Sequence, residues 1–267
     1  MKLIDAKGIC LDVPDMNHQA MFGRRRALRI LNNVSIDIER GETVGIVGES
    51  GSGKTSLGRT LLRLLEPSSG NLTFDGTDIT QFTPAQMKPL RRRMQMIFQD
   101  PQSSLNPRHT VARIIGGAMQ LHGLEAGEKT LSAILERVGL PTSTLTRYPH
   151  QLSGGQRQRV GIARAIALKP EFVVADEIVS GLDVSTQAQV LDLLKGLRTE
   201  FGLSLAFISH DLSVVRHICD RVIIMRSGEV VEAGETAETF RAPKSDFTKS
   251  LISAIPLPEP DADWLDS

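Results

Sequence analysis

Short apolar runs and longer helical patterns alternate along this chain. The runs TVGIV at 43–47, FVVA at 172–175, LSLAFIS at 203–209 and VIIM at 222–225 are continuous and rich in β-branched residues. A strand buried on both faces shows that pattern, as in a parallel sheet covered by helices. The clearest helical pattern covers 185–201, where Val190, Leu193, Leu194, Leu197 and Phe201 recur at three- and four-residue steps. Ser185 is placed to cap its start, and Gly202 stands where a left-handed terminal residue belongs. Strands alternating with helices predict an α/β sheet core. Two regions break the alternation. From about 101 to 168 there are helical patterns, at 131–140 and 156–168, and no convincing strand, which predicts a helical insertion. After about 236 the chain becomes richer in Pro and acid and ends PLPEPDADWLDS, a composition equally compatible with a loosely ordered terminus.

Composition narrows the classes. The 267 residues carry 31 Lys+Arg against 31 Asp+Glu, a net charge of +0, and 40% are hydrophobic. That is too apolar for a disordered chain and too neutral for a dedicated nucleic-acid binder. Two cysteines, Cys10 and Cys219, cannot build a disulfide framework or a four-thiolate metal site, and read as inert thiols in a reducing compartment. No apolar stretch approaches the roughly 18 residues that a membrane-crossing helix needs. The start, MKLIDAKGICLDVPD, brings in acids too early for a signal peptide. The expectation is a cytoplasmic chain that meets a membrane only through a partner.

The candidate chemistry starts at 48–55, GESGSGKT, which satisfies G-x-x-x-x-G-K-[ST] between a strand and a helical pattern at 57–65. Gly48, Gly51 and Gly53, with Glu49, Ser50 and Ser52 between them, let the backbone curl so that successive N–H groups point at an anion. The helix after them directs its positive end to the same place. Lys54 can reach the β- and γ-phosphates, Thr55 offers a hydroxyl to Mg²⁺, and Ser56 follows as a further nucleotide contact. The strand FVVA delivers Asp176 and Glu177 to the carboxyl edge of the sheet, where open α/β folds bind ligands. Asp176 is placed to hold the metal and Glu177 to activate the attacking water.

LSGGQ at 152–156, extended by RQR at 157–159, resembles the signature of ABC transporter ATP-binding subunits. Gln99, in MIFQDPQSSLNPR, is similar to the family's Q-loop glutamine. SGLD at 180–183 resembles its D-loop, and His210, in FISHDLSVV, its switch histidine. The resemblance covers essentially the whole chain. It implies an α/β P-loop ATPase with a RecA-like core sheet, an N-terminal antiparallel β subdomain and a helical insertion at about 101–168. It further implies an ATPase domain over 1–240 and an extension over 241–267. ATP and Mg²⁺ are the implied cofactors, with Glu177, His210 and Gln99 catalytic and Thr55, Gln99 and Asp176 at the metal. Two ATPase subunits are implied to face each other, so that Ser153, Gly154, Gly155, Gln156 and Asp183 of one serve the nucleotide of the other.

QDPQSSLNPR, GQRQRVGIARAIAL and the tail SLISAIPLPEPD resemble, more narrowly, the ATPases of peptide and nickel importers. That likeness implies two transmembrane permease subunits, a second related ATPase or a second copy of this chain, and, indirectly, an extracytoplasmic solute-binding protein. It places the subunit peripherally on the cytoplasmic face of the inner membrane, with no nucleic acid involved. Peptides are the expected cargo and nickel or another small solute the alternative. A soluble ABC ATPase of DNA repair or translation is disfavoured by the lack of zinc modules and coiled-coil insertions, and a P-loop kinase or GTPase by LSGGQ itself. The chain departs from the family pattern at Ile178 and Val179, which replace a proline and a threonine. The adenine-stacking tyrosine is also missing, and Phe22, the one aromatic within LDVPDMNHQAMF, is not assigned that role. The arginine triplets at 24–26 and 91–93 read as solvated surface. His109, His122, His150 and His217 read as ordinary surface or loop histidines.

Overall fold

In the computed structural model, which describes residues 1–14 and 27–254, the strands separate into two sheets. β1 (Lys2–Pro14) and β2 (Ala27–Glu39) pair antiparallel, and β3 (Thr43–Gly48) then leaves for the second sheet, followed by α1 (Lys54–Leu61). β4 (Ser69–Phe74) and β5 (Thr77–Asp78) return to the first sheet, and α2 (Pro84–Met87) leads to β6 (Met94–Ile97). The insertion consists of α3 (Pro101–Ser104), α4 (Val111–Leu121), α5 (Glu128–Arg137) and α6 (Gly154–Ile166). The chain then alternates through β7 (Phe172–Asp176), α7 (Val184–Phe201), β8 (Ser204–Ile208), α8 (Leu212–Ile218), β9 (Arg221–Arg226) and β10 (Glu229–Glu235). It continues with α9 (Thr236–Arg241) and α10 (Asp246–Ser253).

The first sheet has the order β2-β1-β4-β5 and is antiparallel; the second runs β10-β9-β3-β8-β7-β6. All neighbours in the second sheet are parallel except β10 on β9. Every residue of β3, β7 and β8 is buried, which explains their unbroken apolarity. Alternate residues point to opposite faces. Phe172 and Val174 pack with the first sheet and α1, whereas Val173 and Ala175 pack with α4 to α8. Arg40 and Arg93 each bridge Asp75 of the β4–β5 turn to Glu171 before β7, tying the two sheets together.

The pattern misplaced several helix ends, each for a physical reason. α7 is capped by Asp183, not Ser185: the Asp183 carboxylate accepts from the Thr186 N–H at 2.9 Å, and Ser185 donates its own hydroxyl to it. Gly202 does close α7 with a left-handed φ of 63°. α1 ends at Leu61, short of the pattern at 57–65, because Arg63 takes φ 51° and donates to the carbonyls of Ile79 and Phe82. α5 ends at Arg137, with Gly139 at φ 67°, and α6 begins at Gly154 because Ser153 caps it. Beyond 236 the chain forms α9 and α10, whose Phe240, Phe247, Leu251 and Ile252 pack against the core. Glu232 accepts the N–H groups of Lys244 and Ser245, each at 2.9 Å, and so fixes the entry to α10. The stretch PLPEPDADWLDS and the arginine triplet at 24–26 lie outside the described residues. Cys10 and Cys219 are both buried and unbridged.

α1 lies directly on β7 and β8 through Gly58, where a Cβ would come within 2.8 Å of both Val174 Cγ1 and Ile208 Cδ1. Gly58→Val should therefore cost about 1–3 kcal/mol by overpacking. Thermal unfolding should show a Tm lower by about 2–4 °C for each of those kcal/mol. An unchanged or higher Tm would contradict this packing.

Candidate nucleotide site

The carboxyl ends of four adjacent parallel strands, β3, β8, β7 and β6, place the phosphate loop, His210, Asp176–Glu177 and Gln99 along one edge. β3 runs into the loop through Gly48, at φ 150°, where a Cβ would sit 2.1 Å from the Met225 carbonyl oxygen; only glycine fits. Below the loop, Gly228 N–H donates to the Ser52 carbonyl at 3.0 Å. Gly228, at φ 82°, approaches Ile30 so closely that a Cβ would lie 2.4 Å from its carbonyl oxygen. The β9–β10 turn and β2 therefore form the floor of the loop. No motif marks this role, although the Ser227-Gly228 pair between two strands is a legible turn signal.

Gly53 stands before α1 in a left-handed conformation with no side-chain cap, which leaves the first N–H groups of α1 to face an anion. Lys54 is 6% exposed, and its ammonium donates to the carbonyls of Gly48 and Glu49, both at 2.8 Å. Burial holds its pKa below the ordinary lysine value, against the opposing pull of Glu177 and Asp176. The ammonium has a third donor for an incoming phosphate. Ser52 is buried, and its hydroxyl has no partner among the described residues. Glu49, Ser50 and Gly51 line the exposed rim, and Ser56 lies in the first turn of α1.

Thr55 Oγ1 donates to Asp176 Oδ1 at 2.9 Å. Asp176 is 2% exposed, and burial pushes its carboxyl up from the usual range, partly offset by the Thr55 hydroxyl. Among the described residues no cluster of three or more His, Cys, Asp or Glu could hold a metal unaided. The Thr55–Asp176 pair suits Mg²⁺ instead, which binds through one or two carboxylates completed by water and substrate phosphates. Glu177 follows with φ 46°, unusual for a residue with a Cβ, and its N–H donates to the Ile208 carbonyl at 2.9 Å. Its Oε2 accepts from Gln99 Nε2 at 3.3 Å and lies 3.1 Å from His210 Nδ1. Residues 78 and 33 positions away in sequence thus meet on one carboxylate oxygen.

The remaining candidates gather elsewhere. Ser153 Oγ accepts the Gln156 N–H at 3.2 Å, and Gln156 Oε1 accepts the Ser153 N–H at 3.0 Å, a reciprocal cap at the start of α6. Gly154 and Gly155 form the first turn of that helix. Asp183 caps α7, and the hydroxyls of Ser185 and Thr186 with the Thr186 N–H hold its carboxyl down at about 2. Among the described residues no hydrogen bond joins 153–156 or Asp183 to the phosphate loop. Ile178 and Val179 are 1% and 4% exposed and belong to the core, so the departure from proline and threonine is accommodated by packing. Phe22 lies outside the described residues.

A phosphate loop on β3, with a strained glutamate and a buried aspartate at the end of β7 two strands away, defines a P-loop nucleoside triphosphatase. Residues 31–180 match the ABC transporter family, and the chain belongs to that family as an ATP-binding, ATP-hydrolysing cassette. It is 48% identical over 242 residues to the oligopeptide transport ATP-binding protein OppF of Bacillus subtilis, covering 89% of this chain and 79% of that one. It is 46% identical over 244 residues to the dipeptide transport ATP-binding protein DppF of Lactococcus lactis, covering 89% and 78%. Among solved structures, a dimeric ATP-binding cassette in a post-hydrolysis state with ADP and Pi superposes with TM-score 0.76 at 28% identity, covering 87% of this chain and 98% of that one. CbiO1 of Clostridium perfringens, part of an ABC transporter complex, superposes with TM-score 0.76 at 25% identity, covering 90% and 91%.

Two outcomes follow for the edge residues. In the assembled transporter, Lys54→Ala should abolish productive nucleotide binding, whereas Glu177→Gln should bind ATP and lose about 10²–10⁴-fold in turnover. Nucleotide binding and phosphate release measured on each variant separate the two roles, and parent turnover in Glu177→Gln would refute the base. Asp176 gives a test by pH. Its raised pKa means that the folded chain holds the carboxylate less favourably than the unfolded chain does, so stability falls as pH rises through the carboxylate range. Without nucleotide or Mg²⁺, Asp176→Asn should therefore raise Tm at neutral pH, with the gain vanishing below the usual carboxylate range. A lower Tm at neutral pH would contradict the buried, desolvated carboxylate.

Proposed function

We propose that this chain energises an importer, with peptides as cargo, by binding MgATP at the sheet edge and closing against a second ATPase subunit. The observation that carries the reading is the meeting of Gln99 and His210 on Glu177, beside the Thr55–Asp176 pair. The peptide-transport names of relatives at 46–48% identity support the cargo.

The residues divide the chemistry as follows. Lys54 and the N–H groups at the start of α1 hold the β- and γ-phosphates. Thr55 and Asp176, with the Gln99 side-chain oxygen, would hold Mg²⁺, which when bound neutralises charge building on the phosphate oxygens. Glu177 accepts the proton of the water that attacks the γ-phosphorus. Gln99 and His210 keep its carboxylate at the edge. The start of α6 carries N–H groups and the Ser153 hydroxyl, and among the described residues no hydrogen bond joins it to this chain's own loop, which suits a nucleotide held by a facing subunit. In that arrangement ATP bridges two subunits, and its cleavage removes the bridge.

Among the described residues no helix is long and apolar enough to cross a membrane. Attachment would then run through two permease subunits at the cytoplasmic face of the inner membrane, supplied by an extracytoplasmic binding protein. A cleft of about 240 Å³, walled by Leu62, Leu64, Met94, Met96, Phe98 and Arg164, lies between core and insertion and is our candidate seat for a permease helix. Phe98 immediately precedes Gln99, and the Arg164 guanidinium lies 5.9 Å from its ring centroid. Occupancy of the cleft and the Gln99 contact to Glu177 are in this way one covalent step apart.

Gln99→Ala should leave ATP binding nearly intact and lower the peptide moved per ATP hydrolysed. Uptake and hydrolysis measured together in vesicles check this, and an unchanged ratio refutes the coupling role.

A further inference from the structure

A second cleft, of about 300 Å³, is walled by Gln99, Asp100, Gly154, Ile178, Ser180 and Gly181, with Gln158 at its side. Gln158 sits on α6 four residues after the helix start, is 2% exposed, and its Nε2 has no hydrogen-bond partner among the described residues. The neighbouring Arg157 also borders the cleft, with a buried unpaired Nε, although its Nη1 donates to the Leu152 carbonyl at 2.6 Å. A buried amide left unpaired is costly, and an apolar side chain of equal length would sit there at less cost. The surroundings would accept one: the next residues inward, Val160, Ile162 and Ala163, are all core. The amide therefore calls for an acceptor in another arrangement of the same parts.

The turn at 180–182 and Asp100 line the same cleft as Gln158, and the turn's backbone carbonyls are acceptors that a donated amide could pair with. That turn hangs on the reacting carboxylate's own residue, because Ser180 N–H donates to the Glu177 carbonyl at 3.1 Å. It also has room to move. Gly181 stands at φ 75°, and a Cβ there would meet nothing within 4 Å. α6 is the helix whose first turn carries 153–156, so Gln158 moves with that turn.

We propose that Gln158 is a positioning residue for hydrolysis: its amide donates to the 180–182 turn when the start of α6 is engaged, and thereby restrains Glu177, already at φ 46° without that bond, from leaving its strained backbone conformation. The two ends of the facing-subunit arrangement are then linked within one chain. Engagement of the signature turn on one nucleotide sets the base that acts on the other.

The inference rests on Glu177 being the base, and the test separates the two claims. In the assembled transporter, Gln158→Met keeps side-chain length and removes the donor. We expect kcat for ATP to fall about 10- to 100-fold, as for a small misplacement of a reacting group. KM should stay within about twofold, and Tm should be equal or higher. Gln158→Leu, a second apolar shape, should behave alike. Parent kcat in either variant overturns the proposal, and so does a loss confined to KM. A fall in kcat matched by a fall in Tm in both variants also overturns it, since the amide would then serve packing alone. Glu177→Gln runs in parallel. If it turns over at the parent rate, the base assignment fails. If it is inactive while Gln158→Met is parent-like, only the present inference fails.

Discussion

Parallel pairing of β3, β8, β7 and β6 is the constraint on which the site depends. Parallel strands deliver all their carboxyl ends to one edge, and register holds those ends level: Asp176 pairs with Ile208, and Ile208 with Ile46. Glu177, His210 and the phosphate loop consequently begin within a residue or two of the same height. The cost of that pairing is full burial of β3, β7 and β8, which only apolar sequence can meet. Helices on one face and the antiparallel sheet with α1 on the other supply the cover. Chemistry and core are two consequences of one arrangement.

The edge is kept in a state that is unfavourable in isolation. Lys54 is a buried ammonium satisfied only by its own loop, Asp176 a buried carboxylate with one hydroxyl for company, and Glu177 a backbone held at φ 46°. The first two are relieved by what the site would receive: phosphate for the ammonium and a divalent cation for the carboxylate. Surrounding rigidity sustains the strain. Gly48 and Gly228 allow backbone approaches that any Cβ would block, and Gly58 lets α1 rest directly on β7 and β8.

Much of this was legible because it is local. A glycine-rich run between a strand and a helix, an apolar run ending in two acids, and LSGGQ each combine a physical rationale with a fixed spacing. The first sheet was implied by resemblance only, since its strands mix buried and exposed positions without a strict alternation. Helix ends were misread where a competing bond won, as when Asp183 displaced Ser185 as the cap or the Arg63 guanidinium turned the chain out of α1. The floor formed by Gly228 and Ile30 and the buried amide of Gln158 depend on contacts between distant segments, and periodicity carries no trace of those. Ile178 and Val179, the departures from the family pattern, are buried and pack in the core.

The central claim is that this chain completes an ATP site on a facing subunit while its own edge holds another. A cryo-electron microscopy structure of the assembled transporter carrying Glu177→Gln, with MgATP added, addresses that claim directly. The account predicts the γ-phosphate against Lys54 and the start of α6, at Ser153, seated on the nucleotide of the facing ATPase. An ATP-loaded transporter in which Ser153 faces solvent or its own chain's nucleotide would contradict it.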